Sequence, residues 1–238
     1  MIELKRNRWY KLVINAKSVS IKDRLLLTQF NSYKGKKPFG MKSSIGHTII
    51  IDLLQPVEDI LRNCKSNTRN EIRRAIREEF FFEEVQSKED FLDFYNSFAE
   101  EKGIDKISLG HLNQYGNNIL IYKSGKNGVT MTMHASAIDQ SNGIAILLYS
   151  ASVRLLNGIE KKDVGFSNRF LHYKEFVRFK ELGLKEYDFN GICIDPEDKE
   201  RYSISQFKAG FGGKQCEVMW LFSFPFLILS FIKKYFSH

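Results

Sequence analysis

The sequence has little cysteine and little proline. Its three cysteines, Cys64, Cys193 and Cys216, lie far apart in 238 residues and form no CxxC pair. An odd count at that spacing excludes a disulfide framework and a zinc ribbon. The charge-free stretch Val218–Ile232 has 15 residues and is interrupted by Pro225, short of the about 20 apolar residues a membrane-spanning helix needs. MIELKRNRWYK at the N-terminus carries charge and no apolar segment, so no secretory signal is expected and a reducing cytoplasm is the expected setting. Motifs of common chemistries are missing too: no P-loop, no GxGxxG, no HExxH and no GxSxG. The five histidines, His47, His111, His134, His172 and His238, share no ligand spacing, so no metal is expected. Covalent catalysis by cysteine has no support either.

What is present is ordinary globular material, 43% apolar and 13% aromatic, with 20 Phe and 10 Tyr. The length allows one large domain or two small lobes with a full core. The net charge is +8, from 36 basic and 28 acidic residues. Residues 1–81 hold 17 Lys/Arg and 8 Asp/Glu, a net +9, and residues 82–238 hold 19 and 20, a net −1. Such an asymmetry attracts a phosphate-rich partner or marks a solvated face. No zinc finger or other DNA-binding module is visible, so DNA is not expected, whereas a ligand carrying several phosphates fits.

WYKLVIN (9–15), RLLLTQF (24–30) and HTIIIDL (47–53) read as strands, with turn chemistry throughout the segment between the last two. Pro56 opens a helix with the apolar stripe Val57, Ile60, Leu61, Cys64, Thr68, Ile72 and Ile76, broken near Ser66-Asn67. Arg62, Lys65, Arg69, Arg73, Arg74 and Arg77 form its basic side. Ser87 with Asp90 resembles a capping box before a helix that carries Phe91, Phe94, Tyr95 and Phe98 and stops at Gly103. Two strands follow, near 117–123 and 128–138, with Gly125 and Gly128 around their turn. The apolar run 144–153 reads as a central strand. Residues 155–168 read as a loop, with Ser167 the N-cap of a helix ending at Gly183. KEYDFN (185–190) is a strand end. A charged loop, 194–203, leads to a hairpin around FKAGFGGK, a strand to about Phe224 and a short helix ending in Lys233-Lys234. That helix reads as core packing or as an amphipathic end in peripheral membrane contact. A basic lobe, 1–81, and a second unit, 82–238, are the expected divisions.

The order helix, antiparallel strands, long apolar strand, helix, YDFNG and final hairpin resembles the N-acetyltransferase (GNAT) fold. The expected class is therefore α+β: a mixed, mostly antiparallel sheet flanked by helices, preceded by a reduced N-terminal lobe. KSNTRNEIRRAIRE, FLHYKEFVRFKELGLKEYDFNGI and ISQFKAGFGGK are similar to the Fem-type branch of that superfamily, over roughly Thr48 to Val218. The branch includes nonribosomal peptidyl transferases of peptidoglycan cross-bridges and acyl-CoA-dependent enzymes that N-acylate nucleotide-linked amino sugars. The peptidyl transferases carry two complete GNAT domains, and here the first looks reduced and no coiled-coil arm for tRNA is visible. DVGFSNRF stands where GNAT enzymes carry Arg/Gln-x-x-Gly-x-Gly/Ala. The resemblance and the small size imply transfer of an acyl group from a coenzyme A thioester to a nucleotide-linked amino deoxy sugar in bacterial surface-polysaccharide (O-antigen, lipopolysaccharide) assembly. An aminoacyl-tRNA-dependent peptidyl transferase is the alternative, and a non-catalytic polyanion- or membrane-binding module is the third. A homo-oligomer is compatible with each.

The resemblance places Lys208 at the reaction centre, its ammonium on the oxyanion of the tetrahedral intermediate; a solvated hairpin lysine is the other reading. Asp188 and Asn190, expected on one face of a strand end, hold the acceptor or take the amine proton, or else cap a turn. Phe207, beside Lys208, is assigned to the substrate. His134, on a face with Thr132 and Ser136, is a candidate general base or a structural histidine. Tyr149 and Ser150 contact the donor. Ser167, Asn168 and Arg169, at the expected helix start, face its pyrophosphate. Arg69 and Arg73 clamp phosphates or lie on a solvated face.

Overall fold

A computed structural model describes residues 1–5, 10–153 and 160–236. In chain order the elements are β1 (Ile2–Lys5), β2 (Tyr10–Ile14), α1 (Ile21–Leu25), β3 (Leu27–Tyr33), β4 (Met41–Asp52), α2 (Val57–Asn63), α3 (Ser66–Arg77), β5 (Phe81–Glu84), α4 (Lys88–Lys102), α5 (Leu109–Asn113), β6 (Ile119–Lys126), β7 (Val129–Asp139), β8 (Ile144–Ser152), α6 (Lys161–Glu181), β9 (Glu186–Asp188), α7 (Lys199–Ala209), β10 (Lys214–Ser223) and α8 (Phe224–Phe236). They form two compact units, Met1–Thr48 with Cys216–His238, and Ile49–Gln215. The division expected after residue 81 falls inside the second unit, within β5.

The first unit is built from both ends of the chain. β1 pairs antiparallel with β2, β2 runs parallel to β3, and β3 pairs antiparallel with β10. Val13, Phe30, Tyr33, Met41 and Leu221 form its core. RLLLTQF is not one strand. Ser20 accepts a bond from the Asp23 N–H while the Asp23 carboxylate accepts from the Ser20 N–H, and this capping box starts α1. The strand begins only at Leu27, and β4 starts at Met41, six residues before the expected position.

In the second unit the strand order is β4-β9-β8-β7-β6-β5, antiparallel except for the β8–β9 pair. The helix expected from Pro56 is two helices, α2 and α3, and the break lies at Cys64-Lys65, before Ser66-Asn67. Asn127 and Gly128, both with positive φ (53° and 76°), make the β6–β7 turn, and Gly125 lies within β6. Side chains alternate along β7. Thr132 and His134 meet α6, and Met133 points to α4 on the opposite side. Apolar residues of β4, α2, α3 and α6 close the main core, among them Ile51, Ile60, Ile72, Leu171, Phe176 and Phe179. α4 follows the sequence reading except that only half of the capping box forms: Ser87 accepts the Asp90 N–H at 3.0 Å, and Gly103 ends the helix with φ 66°. The strands of this unit make a mixed, mostly antiparallel sheet flanked by helices, the α+β class expected. No helix among the described residues is long and apolar enough to cross a membrane.

Candidate functional site

β8 pairs with β9 only at Ile144–Ile146, opposite Glu186–Asp188. It then runs on to Ser152, still paired with β7. The β7–β8 register slips between Ala135 and Ser136, which leaves Leu148 as an extra residue on β8. Such a bulge bends a strand and increases its twist. It sits just past the point where the parallel pairing stops. Ile144–Leu147 are buried, and Leu148–Ser150 are half-buried. A sheet that opens at the carboxyl end of two parallel strands offers backbone groups to a ligand. Tyr149 and Ser150 lie on this stretch, with the Tyr149 ring 5.2 Å from Tyr95 and 6.4 Å from Phe91 of α4.

His134 lies inside the protein rather than on an open face. It is fully buried, with Nδ1 2.8 Å from Glu175 Oε2 and Nε2 3.2 Å from Asn168 Oδ1. Both ring nitrogens therefore face oxygen acceptors inside the protein. His172 Nδ1 lies 3.5 Å from the same Glu175 oxygen and 3.2 Å from the Tyr187 hydroxyl. Burial and repulsion from His134 push the His172 pKa down to about 3. Burial alone would raise the Glu175 pKa, but the two facing histidines outweigh it and hold the carboxyl below its usual range. The candidate ligand atoms of His134, His172 and Glu175 lie within 4.8 Å of one another, a grouping that sequence spacing did not show. Their bonds to one another, to Asn168 and to Tyr187 make the cluster a polar tie between β7, α6 and β9.

Lys208 lies in the last turn of α7 rather than in a hairpin. Its Nζ donates to the carbonyls of Phe189, Asn190 and Gly191 at 2.9, 2.9 and 2.8 Å. An ammonium has three donors, so none is left for an oxyanion in this arrangement. Desolvation lowers its pKa to about 8, opposed by the Asp188 carboxylate. Asp188 is 4% exposed, at the last β8–β9 pair, and its Oδ1 accepts the Asn190 N–H at 2.8 Å. Asn190 has φ 55° and is exposed, so the chain has left the strand and the two side chains do not share a face as expected.

The expected phosphate ligands are dispersed. α6 begins at Lys161, six residues before Ser167, and Glu160 before it makes no side-chain cap. The buried Ser167 hydroxyl meets Thr132 at 2.8 Å, and Asn168 is committed to His134. Arg169 forms an ion pair with Glu71 of α3 at 2.9 Å and lies 4.8 Å over the Phe207 ring, binding α3, α6 and α7 together. Arg69 donates to the carbonyls of Arg62 and Cys64 at 2.7 and 3.1 Å, satisfying the end of α2. Arg73 is exposed. The true start of α6 holds the carboxylates Glu160 and Asp163 beside Lys161 and Lys162. Residues 154–159 of the expected loop lie outside the described residues.

Sequence reasoning missed an open cleft of about 710 Å³ beside the Ser152 end of β8. Asp90, Asp93, Ser97 and Glu101 of α4 line it, against Met133 and Val153. The signal was the three-and-four spacing of these polar residues, behind the more conspicuous aromatic stripe of the same helix.

Neither a protein-family model nor a curated protein matches the sequence. Solved structures do. FemX matches with a TM-score of 0.70 at 11% identity, over 96% of this chain and 85% of FemX. L-PGS from Bacillus licheniformis gives 0.61 at 12% identity, over 95% and 82%. The C-terminal domain of a putative lysylphosphatidylglycerol synthetase from Agrobacterium fabrum gives 0.59 at 11%, over 97% and 84%. The chain shares the fold of these three structures along nearly its whole length.

Proposed function

We propose that the protein is an acyltransferase whose donor places its reactive carbonyl where β8 leaves β9. The observation that carries this reading is the end of the parallel pairing at Ile146–Asp188, with β8 bulged and running on to Ser152. Backbone N–H groups on that edge, not Lys208, supply hydrogen bonds to the oxyanion. The amine nitrogen attacks the carbonyl carbon, the new C–N bond forms, and the C–S bond of a thioester breaks as the thiolate leaves with the amine proton. The enzyme's main contribution is placement. Asp188, at the apex of the opening, is the carboxylate assigned to the acceptor. Asp90, Asp93 and Glu101 draw a cationic amine into the cleft before it loses its proton.

Two donors have distinct support. A coenzyme A thioester fits a chain whose longest helix among the described residues, α6, is largely buried in the core and forms no arm for tRNA. The acceptor is then the nucleotide-linked amino sugar implied by the sequence resemblance, in a bacterial cytoplasm. An aminoacyl-tRNA is favoured by the likeness to FemX over 96% of this chain. The deciding assay follows thiol release from acetyl-CoA with a panel of nucleotide-linked amino sugars, and in parallel label transfer from charged tRNA to amines. Amine-dependent thiol release assigns the first donor, and label transfer without thiol release the second. Neither activity from folded protein overturns the acyltransferase reading.

A further inference from the structure

The first unit carries a separate feature that acyl transfer does not use. Met1–Thr48 with Cys216–His238 holds 13 Lys/Arg and 3 Asp/Glu, a net +10, while Ile49–Gln215 holds 23 and 25, a net −2. The same small unit leaves large apolar side chains in solvent. Phe226 of α8 turns inward, its ring 5.3 Å from Tyr10 and 5.5 Å from Phe222. Phe224, Ile228 and Phe231, spaced by four and three, fall on the opposite side of the helix and are 65%, 48% and 72% exposed. α1 packs beside α8 and presents Ile21 and Leu25, one turn apart, at 74% and 71% exposure. The Phe39 carbonyl accepts from Arg24 Nη1 of α1 at 3.5 Å, which holds the 34–40 loop beside that helix, and the Phe39 side chain is 93% exposed. Exposed Lys22, Lys36 and Lys37 lie on the same elements.

We infer that this face docks on an anionic lipid bilayer, with α8 lying in the interface and the lysines meeting lipid phosphates. Apolar side chains on one side of a helix, bordered by cations, are what an interfacial element needs. The negative surface of such a bilayer attracts each nearby lysine. Nucleic acid accounts for the charge but not for exposed Ile, Leu and Phe at helical spacing. A second copy of the chain would bring another +10 against the first. The inference stands apart from the choice of acyl donor.

The test is flotation of the full chain with phosphatidylcholine vesicles, with and without phosphatidylglycerol. Binding is expected only with phosphatidylglycerol, weakening as salt rises. Leu25→Glu with Ile228→Glu, both at exposed positions, is expected to lower partitioning at least about tenfold with the circular dichroism spectrum unchanged. Lys36→Glu with Lys37→Glu is expected to lower it by a similar factor and to flatten its salt dependence. Absence of binding to phosphatidylglycerol vesicles overturns the inference, as does binding by the Leu25/Ile228 variant equal to wild type. Scattering that shows a dimer abolished by Ile228→Glu assigns the face to a second copy and overturns it too. So does RNA binding that survives loss of the apolar side chains while vesicle binding is absent.

Discussion

Glu175 is sealed between two histidine rings, and that arrangement makes the protein sensitive to acid in a defined direction. His172 titrates near 6.5 in an unfolded chain and near 3 in the fold. Between those pH values the unfolded chain holds a proton that the native protein refuses, so stability falls as pH drops from 6.5 towards 3. Glu175 acts in the same direction. Its folded pKa lies below the ordinary 4.5, so its contribution is present above that pH and is lost as pH falls through its depressed folded value. Each such group changes stability by up to about 1.4 kcal/mol per pH unit. The melting temperature is expected to fall from pH 6.5 to 5, and more gently in His172→Gln, whose side chain does not titrate. Parallel curves would show that His172 is not the group. Lys208 makes a second case. Lys208→Met keeps the stem but leaves three carbonyls without their donor, a loss on the order of 3 kcal/mol in urea unfolding. Lys208→Arg is not expected to restore it, because a planar fork does not converge on three carbonyls. Wild-type stability in Lys208→Met with a collapsed kcat would return the residue to the oxyanion.

At the scale of elements, the FKAGFGGK turn is held by close approach to the end of α2. A Cβ at Gly212 would overlap the Asn63 carbonyl at the end of α2, and its φ is 78°. A methyl group at Gly191 would meet nothing within 4 Å, and the backbone there has no positive φ. Gly212→Ala is therefore expected to destabilise by more than about 1 kcal/mol, and Gly191→Ala by less than about 0.5 kcal/mol. Equal effects in denaturant midpoints would count against the packing argument. The same elements show what sequence can reveal. The central strand, Ile144–Ser152, was legible because its first four residues are buried and its apolar run is nearly uninterrupted. α4 was legible from Ser87 and Gly103, residues that act on the backbone next to them. The start of α6 was not, because Glu160 makes no side-chain cap and Ser167, a residue type that signals caps, is spent inside the helix on Thr132. The His134–Glu175 contact joins residues 41 apart through the fold, and no local pattern announces it. The opening of β8 from β9 is a property of register, which depends on where two strands stop pairing.

At the scale of the whole chain, the first unit is completed by the last strand, β10, and the prediction is opposite to the one a 1–81 lobe implies. β10 comes from the last part of the chain, yet it pairs antiparallel with β3 at Met219–Tyr33, Leu221–Phe30 and Phe222–Gln29. Leu221 is fully buried in the core of Val13, Phe30, Tyr33 and Met41. Ser223 Oγ accepts the buried Thr28 N–H at 3.0 Å. A chain ending at Gln215 loses all three contributions, and β3 keeps an unpaired edge. The remaining 48 residues, Met1–Thr48, lie in the range of about 40–60 residues where a lone core is marginal. Hydrogen exchange of that truncated chain is expected to show β2 and β3 exchanging at nearly unprotected rates. β6, β7 and β8, closed by a separate core in Ile49–Gln215, are expected to stay protected. An autonomous N-terminal lobe would instead keep β2 and β3 protected without β10. Retained protection there would show that the first unit does not need the C-terminal strand that completes its sheet.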